Sequence, residues 1–277
     1  NNVSVFFFFS FKQCKSLTSV AIPKSMASIA RGAFDECSNL TSVTIPEGVT
    51  IIGSEAFQLC NLLSLSLPQS LTTIADGAGS YGAFANNKNL SVVVIPDNVM
   101  TVGGEAFAGC TSLKTIVFGA NVTTLGAGAL RGCTSLAEVS LPKKLTIIPH
   151  SCFVGCSALS KVILPEGLTT IQSYAFENCS SLQTIQLPST IRVMTQAFAG
   201  CTGLVEIEIP EGVSILDNTF INCPNLSKVT LPSSLTTIGT QAFYRCSNLV
   251  SLHIPSSVTN IGNSAFKECI ALSNIVL

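Results

Sequence analysis

The stretch that decides the fold is residues 40–60, which read Leu40-Thr41-Ser42-Val43-Thr44-Ile45-Pro46-Glu47-Gly48-Val49-Thr50-Ile51-Ile52-Gly53-Ser54-Glu55-Ala56-Phe57-Gln58-Leu59-Cys60. The same pattern returns along the whole chain at a nearly constant short period, with an apolar residue three positions before a cysteine. Such a period predicts a solenoid, because so small a unit must stack on its neighbours to bury its apolar face. The pairs are Phe11/Cys14, Phe34/Cys37, Phe57/Cys60, Phe107/Cys110, Leu130/Cys133, Phe153/Cys156, Phe176/Cys179, Phe198/Cys201, Phe220/Cys223, Phe243/Cys246 and Phe266/Cys269, and a twelfth unit has Phe84 followed by Asn87.

Each unit begins with the pattern of a short strand. Val43 and Ile45 alternate with Ser42 and Thr44, so the first pair is expected to face the core and the second pair the solvent. Pro46 ends the strand because proline has no N–H to give to a ladder.

The second half of each unit returns the chain to the core. Val49 and Ile52 face inward from a second short extended piece, and Gly53 permits a tight bend before Phe57 and Cys60. We therefore predict a β-rich, right-handed solenoid of about twelve units with a parallel concave sheet of twelve rungs, a continuous internal spine of phenylalanines and no α-helix of ordinary length.

Composition limits the classes of function. The chain has 277 residues, of which 47% are hydrophobic and 10% charged, with 14 basic and 15 acidic side chains. This balance offers no electrostatic basis for binding nucleic acid or an anionic membrane. No apolar run approaches the ~20 residues that span a bilayer. We predict a single domain over residues 1–277, apparently without the polar capping units that usually close a solenoid.

The cysteines and histidines do not indicate catalysis. Equivalent cysteines on neighbouring units should lie about 4.8 Å apart with parallel side chains, whereas a disulfide needs converging Cβ atoms about 3.8 Å apart. We predict free, buried thiols, with Cys152 beside Cys156 as a packing exception. His150 and His253 fall on different faces. The prediction is therefore a protein that is not an enzyme, with no catalytic, cofactor-binding or metal-binding residues.

The repeated signature Leu-x-x-Ile-x-Ile-Pro-x-x-Val-Thr-x-Ile-Gly-x-x-Ala-Phe-x-x-Cys resembles the BspA-like subgroup of leucine-rich repeats, found in cell-surface proteins of bacteria and parasitic protists. The resemblance covers essentially the whole chain. It implies a leucine-rich repeat superhelix, extracellular or cell-surface display, and adhesion or host-protein binding, but it fixes no ligand. The asparagine ladder of ordinary leucine-rich repeats is missing, and Gly48, Ser70 and Gly167 stand at the corresponding positions.

Two rows of outward positions on the sheet are candidates for binding a protein or glycoprotein partner. They contain a modest apolar strip and a charged stretch, namely Val92, Val94, Val117 and Ile163, and Glu138, Lys161, Glu206, Glu208, Lys228 and His253. A plainer interpretation is that Glu138–Lys161 and Glu206–Lys228 are ion pairs between adjacent units that add solubility and contribute about 0–1 kcal/mol each.

A single long insertion offers another candidate. Pro68 and Pro96 are 28 residues apart, whereas the other repeat prolines, with Gly119 standing in for one of them, are spaced by 22 or 23 residues. The extra residues fall within the glycine-rich loop 75–82, which carries Tyr81. Either binding is grafted on this loop or the insertion is merely tolerated, and the sequence leaves both open.

The first and last units suggest a third possibility. Apolar side chains lie at both edges of the array, at Phe7, Phe8 and Phe9 and at Ile275 and Leu277. Unpaired edges with apolar groups are association sites. The alternatives to a surface-displayed binding module are therefore a repeat array that stacks end to end into a filament or coat, through a heterologous contact, and an intracellular scaffold.

Overall fold

The computed structural model describes residues 3–77 and 81–277. Its contacts divide the chain into two compact units, Asn1–Leu145 (the N-unit) and Thr146–Leu277 (the C-unit), each described here by itself. Over the described residues both units consist of short β-strands joined by turns, without an α-helix. The fold is a parallel β-solenoid of about eleven turns, close to the twelve units predicted. The single domain over 1–277 stays a prediction.

The N-unit has two rows of strands. The second row is one parallel sheet in the order β2-β4-β5-β7-β9, and its register Ile52↔Ile74↔Val102 continues past the long insertion. In the first row β1 pairs with β3, and β6 pairs with β8. The first-row strands are β1 (Ser19–Ala21), β3 (Ser42–Thr44), β6 (Val92–Val94), β8 (Thr115–Val117) and β10 (Glu138–Ser140), and the second-row strands are β2 (Ser28–Ile29), β4 (Ile51–Ile52), β5 (Thr73–Ile74), β7 (Thr101–Val102) and β9 (Thr124–Leu125).

The C-unit repeats this arrangement. In its first row β14 pairs with β16 and β18 with β20, and in its second row β11 pairs with β13 and β17 lies between β15 and β19, all parallel. The first-row strands are β12 (Lys161–Ile163), β14 (Glu206–Glu208), β16 (Lys228–Thr230), β18 (Ser251–His253) and β20 (Asn274–Val276), and the second-row strands are β11 (Ile147–Ile148), β13 (Thr170–Ile171), β15 (Ile215–Leu216), β17 (Thr237–Ile238) and β19 (Asn260–Ile261).

The first row is not the unbroken series of twelve rungs that the sequence predicts. Residues 64–66 and 184–186 carry the strand pattern but form no strand, although both segments are fully described. The N–H of Val205, just before β14, still donates to the carbonyl of Gln183, just before residues 184–186, at 2.9 Å. Proline ends most first-row rungs after about three residues, with Gly119 in its place after β8, so pairing between two rungs depends on few hydrogen bonds and is easily lost.

A third ladder of hydrogen bonds runs along the bends. The N–H of Phe34 donates to the carbonyl of Ala56 at 2.8 Å, and the N–H of Phe57 donates to the carbonyl of Ala83 at 2.8 Å. Equivalent bonds recur in the C-unit, for example from the N–H of Phe153 to the carbonyl of Ala175 at 2.8 Å. The bends are therefore bonded between repeats like strands, even though each bend is a series of turns.

The conformation of the bend differs in one respect from the expectation. Positive φ falls at Glu55 (57°) and Leu59 (52°), not at Gly53. A Cβ atom at Gly53 would lie 2.6 Å from the backbone nitrogen of Arg31. Glycine is needed there because two repeats approach closely, whereas the left-handed turns are imposed on side-chain-bearing residues by the ladder around them.

The predicted phenylalanine spine is present in each unit. In the N-unit the rings of Phe11, Phe34, Phe57, Phe84 and Phe107 stack with centroids 5.2 to 5.6 Å apart. In the C-unit the stack comprises Phe153, Phe176, Phe198, Phe220, Phe243 and Phe266, with centroids 5.3 to 5.8 Å apart. Leu130, buried in the N-unit, takes the place of one ring.

The repeated cysteines form a ladder of their own. The thiol of Cys60 donates to the carbonyl of Phe34 at 3.2 Å, and the thiol of Cys201 donates to that of Phe176 at 3.1 Å. Seven further cysteines repeat this bond, namely Cys37, Cys110, Cys133, Cys179, Cys223, Cys246 and Cys269. Each thiol thus adds a hydrogen bond to a backbone carbonyl of the preceding repeat; the Phe34 carbonyl, for example, also accepts from the N–H of Cys37 at 3.2 Å.

Asn87 takes the place of cysteine at the repeat that carries the insertion. Its Nδ2 donates to the carbonyls of Phe57 at 2.8 Å and Phe84 at 2.9 Å, and its Oδ1 accepts from the N–H of Leu62 at 3.1 Å. The side chain is fully buried. One amide therefore replaces the thiol bond and adds two more.

Phe176→Ala should lower the free energy of unfolding by about 3–5 kcal/mol, because it opens a cavity between two stacked rings. Chemical denaturation followed by circular dichroism measures the loss. Phe176→Leu is the matched control and should lose much less, since leucine already occupies the equivalent position at Leu130. Equal losses for the two variants would contradict a stabilising role for the ring itself.

Asn87→Ala should destabilise the protein more than Asn87→Cys. Alanine removes the Asn87 partner of the Leu62 N–H and of the Phe57 carbonyl in the core, each at a cost of about 1–3 kcal/mol. The Phe84 carbonyl keeps the Cys110 thiol as a donor. Cysteine restores the bond to Phe57. Thermal unfolding of both variants provides the comparison. The two variants would be alike if Asn87 were only filling space, because cysteine and alanine are both smaller than asparagine.

Candidate partner-binding site

The cysteines do not form a reactive site. None of the twelve is in a disulfide, and all are buried except Cys14, which is exposed, unlike the inward position expected from the repeat. Burial raises the pKa of Cys110 and of Cys201 to about 12. A thiol with such a pKa is protonated at neutral pH and is not a nucleophile. Cys152 is buried, in agreement with a packing role.

The two histidines lie in different environments. The His150 ring meets the Tyr174 ring edge-on at 5.4 Å, and its backbone N–H donates to Oε1 of Gln172 at 2.9 Å. His253 ends strand β18 with its side chain exposed. Within residues 3–77 and 81–277, no cluster of three or more His, Cys, Asp or Glu could hold a metal ion.

A cavity of about 480 Å³ lies in the C-unit, over the gap where residues 184–186 fail to pair with β14. We call it the cleft. It spans three consecutive first-row rungs and the two proline turns below them, and its lining residues are Thr184, Ile185, Gln186, Leu187, Ser189, Glu206, Ile207, Glu208, Pro210, Glu211, Lys228 and Thr230.

The alternation of strand β14 shapes the cleft. Ile207 points to the core and is 3% exposed, and Glu206 and Glu208 on either side of it project outward. Ile185 is also buried on the neighbouring rung. Because their side chains face the core, these isoleucines line the cleft through their backbone atoms, while the carboxylates stand above the surface.

The parallel register sets the charges of the cleft. Glu206 lies opposite Lys228, and Glu208 lies opposite Thr230. The Lys228 Nζ is 3.5 Å from Oε2 of Glu206, so the predicted ion pair is present, with both side chains more than half exposed. In the described part of the chain the carboxylate of Glu208 has no cationic partner within ion-pair distance. The cleft therefore has one neutralised and one unneutralised carboxylate on the same strand.

Glu211, at the lower wall, binds the next turn. Its carboxylate accepts from the N–H of Ser233 at 2.9 Å and of Ser234 at 3.2 Å, and also from the Ser233 hydroxyl. These hydrogen bonds, chiefly the one from the Ser233 N–H, lower the pKa of Glu211. Glu47 binds the N–H groups of Gln69 and Ser70 in the same way in the N-unit.

Arg192 fastens the two turns below the cleft. Its Nη1 donates to the carbonyls of Ser189 and Ile191 at 2.8 Å each, and to that of Glu211 at 3.3 Å. A Cβ atom at Gly212, where φ is +97°, would lie 2.7 Å from the guanidinium carbon. The backbone angle is what favours glycine here, since the Arg192 side chain could shift to make room for a Cβ atom.

The structure brings together three of the predicted partner-binding residues, Glu206, Glu208 and Lys228, in the cleft. Ile163 and His253 are exposed on β12 and β18 of the same unit but do not line it. Glu138 and Lys161 are exposed on β10 and β12, which belong to different units, and the ion pair between them stays a prediction.

The apolar strip is partly assembled in the N-unit. Val94 and Val117 are direct neighbours in the β6–β8 register, about half exposed, and Val92 lies on the same face. Tyr81 is also about half exposed, but residues 78–80 of the insertion lie outside the described residues. A binding role for the loop stays a prediction.

The residues proposed for end-to-end association are exposed to different degrees. Phe7 and Phe8 are 80% and 72% exposed, and Leu277 is 86% exposed, whereas Ile275 is about half exposed. Phe9 is more covered, with the Lys12 Nζ 5.2 Å and the Arg31 Cζ 5.7 Å from its ring centroid. Association through these residues stays a prediction.

Sequence reasoning missed Gln186, Arg192 and Glu211. A signal for Glu211 was available, because Pro-Glu-Gly at 46–48 and 210–212 is followed one repeat later by Pro-Gln-Ser at 68–70 and Pro-Ser-Ser at 232–234, whereas the same motif at 165–167, for which no such bond is described, is followed by Pro-Ser-Thr at 188–190. No comparable signal marked the gap itself, since Leu182, Ile185 and Leu187 repeat the spacing of the paired rungs.

Comparison with known protein families and solved structures agrees with the fold. The family described as BspA type Leucine rich repeat region (6 copies) matches residues 6–81, 79–196 and 188–277. The chain belongs to the BspA-type leucine-rich repeat family. No curated protein matches it. None of the described segments forms a helix with the length and apolar character needed to cross a membrane.

Three solved structures share the fold. A leucine-rich repeat protein from Bacteroides ovatus is 28% identical with a TM-score of 0.76, and the match covers 99% of this chain and 82% of that one. One from Eubacterium ventriosum is 21% identical with a TM-score of 0.51, covering 91% and 82%. The leucine-rich repeat protein of T. pallidum is 28% identical with a TM-score of 0.51, covering 66% and 78%.

Glu211→Gln should lower the unfolding midpoint at neutral pH, with the loss disappearing in acid. The folded pKa of Glu211 lies below the ordinary value of 4.5, so its stabilisation is present above that value and is lost as the pH falls through the folded pKa. Unfolding midpoints between pH 3 and pH 7 test this.

Glu166→Gln is the matched control for this measurement. Glu166 occupies the same Pro-Glu-Gly turn two repeats earlier, but among the described contacts its carboxylate has no hydrogen bond to the following turn, where the Thr190 hydroxyl instead donates to the Glu166 backbone carbonyl at 2.7 Å. Its midpoint should match the wild type throughout. A pH-independent loss in Glu211→Gln would contradict a stabilising role for the ionised carboxylate.

Proposed function

We propose that this protein is a non-enzymatic binding module that recognises a protein or glycoprotein partner through the cleft of the C-unit. The observation that carries the proposal is the cleft itself, because it combines half-buried apolar residues at its base, Leu187 and Pro210, with outward charged side chains on a hydrogen-bonded ladder. Binding sites of proteins are typically concave, with an apolar base and a few fixed polar groups. The family is a repeat family of structural and binding modules, which agrees with this role.

The mechanism of recognition follows from the register. Side chains on the first row project from strands spaced about 4.8 Å apart, so a partner meets a regular grid of positions. About half of these positions hold serine, threonine or asparagine, and the cleft is one place where charged side chains, Glu206, Glu208 and Lys228, interrupt them. Charged groups at such a surface contribute mainly to specificity and to the rate of association, and the apolar base contributes to affinity.

We further propose display at the cell surface or in the secreted fraction, with adhesion as the biological role. Surface display is what the BspA-type family implies, and the buried thiols do not require a reducing compartment because burial keeps them protonated and inaccessible. Fractionation of native cells with an antibody to this chain distinguishes the proposal from an intracellular scaffold. Recovery in the cytosol alone would contradict surface display.

The binding experiment compares wild type with the variant Glu206→Ala/Glu208→Ala/Lys228→Ala. Both are immobilised and exposed to a panel of purified extracellular matrix and plasma proteins, with surface plasmon resonance as the readout. The affinity for a genuine partner should fall at least about tenfold in the triple variant, since charged groups at the centre of an interface are frequent hot spots.

A second triple variant controls for the change in net charge of the protein. Glu166→Ala/Glu177→Ala/Lys88→Ala removes the same charges at positions that do not line the cleft. It should bind each partner like the wild type. If the first triple variant retained full affinity for every partner captured by the wild type, the cleft would be rejected as the binding site.

A further inference from the structure

We infer that the group recognised in the cleft is an arginine side chain presented by the partner protein. This inference rests on the proposed function and adds the chemistry of the ligand. Its starting point is the inequality between the two carboxylates of strand β14. Glu206 already has a cation, the Lys228 ammonium at 3.5 Å, whereas Glu208 faces Thr230 across the register.

The surroundings of Glu208 favour a cation from outside. The cleft contains three carboxylates, at Glu206, Glu208 and Glu211, and one ammonium, at Lys228. The Glu211 carboxylate is engaged with the N–H groups of Ser233 and Ser234, so it is held in place and stays ionised. The nearby guanidinium of Arg192 is turned to backbone carbonyls of the turns. Glu208 is therefore the carboxylate of the cleft that has neither a described cation, as Glu206 has, nor described hydrogen-bond donors, as Glu211 has.

The uncharged residues that line the cleft favour one kind of cationic side chain. Thr184, Gln186 and Thr230 present hydroxyl and amide oxygens around the opening, and Leu187 and Pro210 present apolar surface. An arginine side chain matches both features, because its guanidinium has five donors for several oxygens at once and its aliphatic stem packs on apolar groups. A lysine ammonium is more strongly hydrated and cannot bind a carboxylate through two parallel hydrogen bonds.

Lys228 has a defined part in this arrangement. Its side chain is 74% exposed and lies on the strand next to Glu208. It therefore repels an incoming guanidinium while it neutralises Glu206. Removing the Lys228 charge should strengthen the binding of arginine, whereas a site built for an anion would lose its main attraction.

The test uses three blocked, fluorescein-labelled pentapeptides that differ at one position. Their sequences are Ser-Val-X-Val-Ser, with X as arginine, lysine or citrulline, the neutral isostere of arginine. Fluorescence anisotropy against the full chain at low ionic strength should give an affinity for the arginine peptide about tenfold higher than for citrulline, with lysine between them.

Three variants assign the effect to the cleft. Glu208→Gln should abolish the preference for arginine over citrulline, Lys228→Gln should raise the arginine affinity about threefold or more, and Glu166→Gln, which removes one negative charge outside the cleft, should leave the preference unchanged. The same thermal midpoint for all three variants, measured in parallel, excludes unfolding as the cause.

The outcomes separate this inference from the proposed function. Equal binding of the arginine and citrulline peptides, or weaker binding after Lys228→Gln, overturns the assignment of arginine but leaves a cleft that binds partners by other groups. Absence of binding by any of the peptides to millimolar concentration also overturns it, while the capture of whole partners by the wild type and its loss in the triple variant remain a separate measurement. A lysine preference would replace the guanidinium by an ammonium and contradict the bidentate contact.

Discussion

The structure depends on hydrogen bonds that each repeat makes with the next along the bend. A single repeat built from turns cannot satisfy its own backbone groups, and the bends are buried around the phenylalanine spine. The N–H of Phe34 donates to the Ala56 carbonyl, and the Cys60 thiol donates back to the carbonyl of Phe34. Each repeat thus both donates to and accepts from its neighbour, and stability is expected to be a property of adjacent pairs rather than of single repeats.

This constraint explains why cysteine, a residue without reactive chemistry here, recurs at one position. The position favours a small donor that is otherwise apolar, because the thiol adds a hydrogen bond to a buried backbone carbonyl of the preceding repeat while the rest of the side chain packs in the core. Asn87 shows that the donor is what matters, since the amide meets the same Phe57 carbonyl and then uses its remaining groups on Phe84 and Leu62. In both cases a buried side chain links neighbouring repeats by donating to a backbone carbonyl.

The sequence was sufficient to predict the structural features that recur in every repeat. The period of Phe and Cys indicated the solenoid and its spine, and the alternation around Val43 indicated which side chains face solvent. The sequence was insufficient to predict the cleft, because pairing between two neighbouring rungs depends on few hydrogen bonds. Residues 184–187 have the same apolar spacing as the paired rungs, so no local pattern distinguishes them. Glu206, Glu208 and Lys228 were predicted as a charged stretch, but their position beside a gap, with Arg192 and Glu211 below, comes from the three-dimensional arrangement alone.

The two rows of strands and the bend differ in how regularly they pair between repeats. In the N-unit the second row keeps its register from Ile52 through Ile74 to Val102, although the chain between the last two contains the long insertion. The first row, by contrast, loses pairing at 64–66 and at 184–186 while the bend ladder continues beside it. Beside 184–186 the second row is interrupted too, because β13 makes a single bridge to Val193 and no described pairing joins Val193 to β15. There the bend ladder joins the repeats, through the N–H of Gln196 to the Asp217 carbonyl at 2.9 Å and the N–H of Phe198 to the Thr219 carbonyl at 3.0 Å, and the first row is free to open. Where the first row does not pair, backbone atoms and apolar groups are exposed between the outward side chains. These outward side chains do not pack in the core, so the core does not restrict which residues occupy their positions.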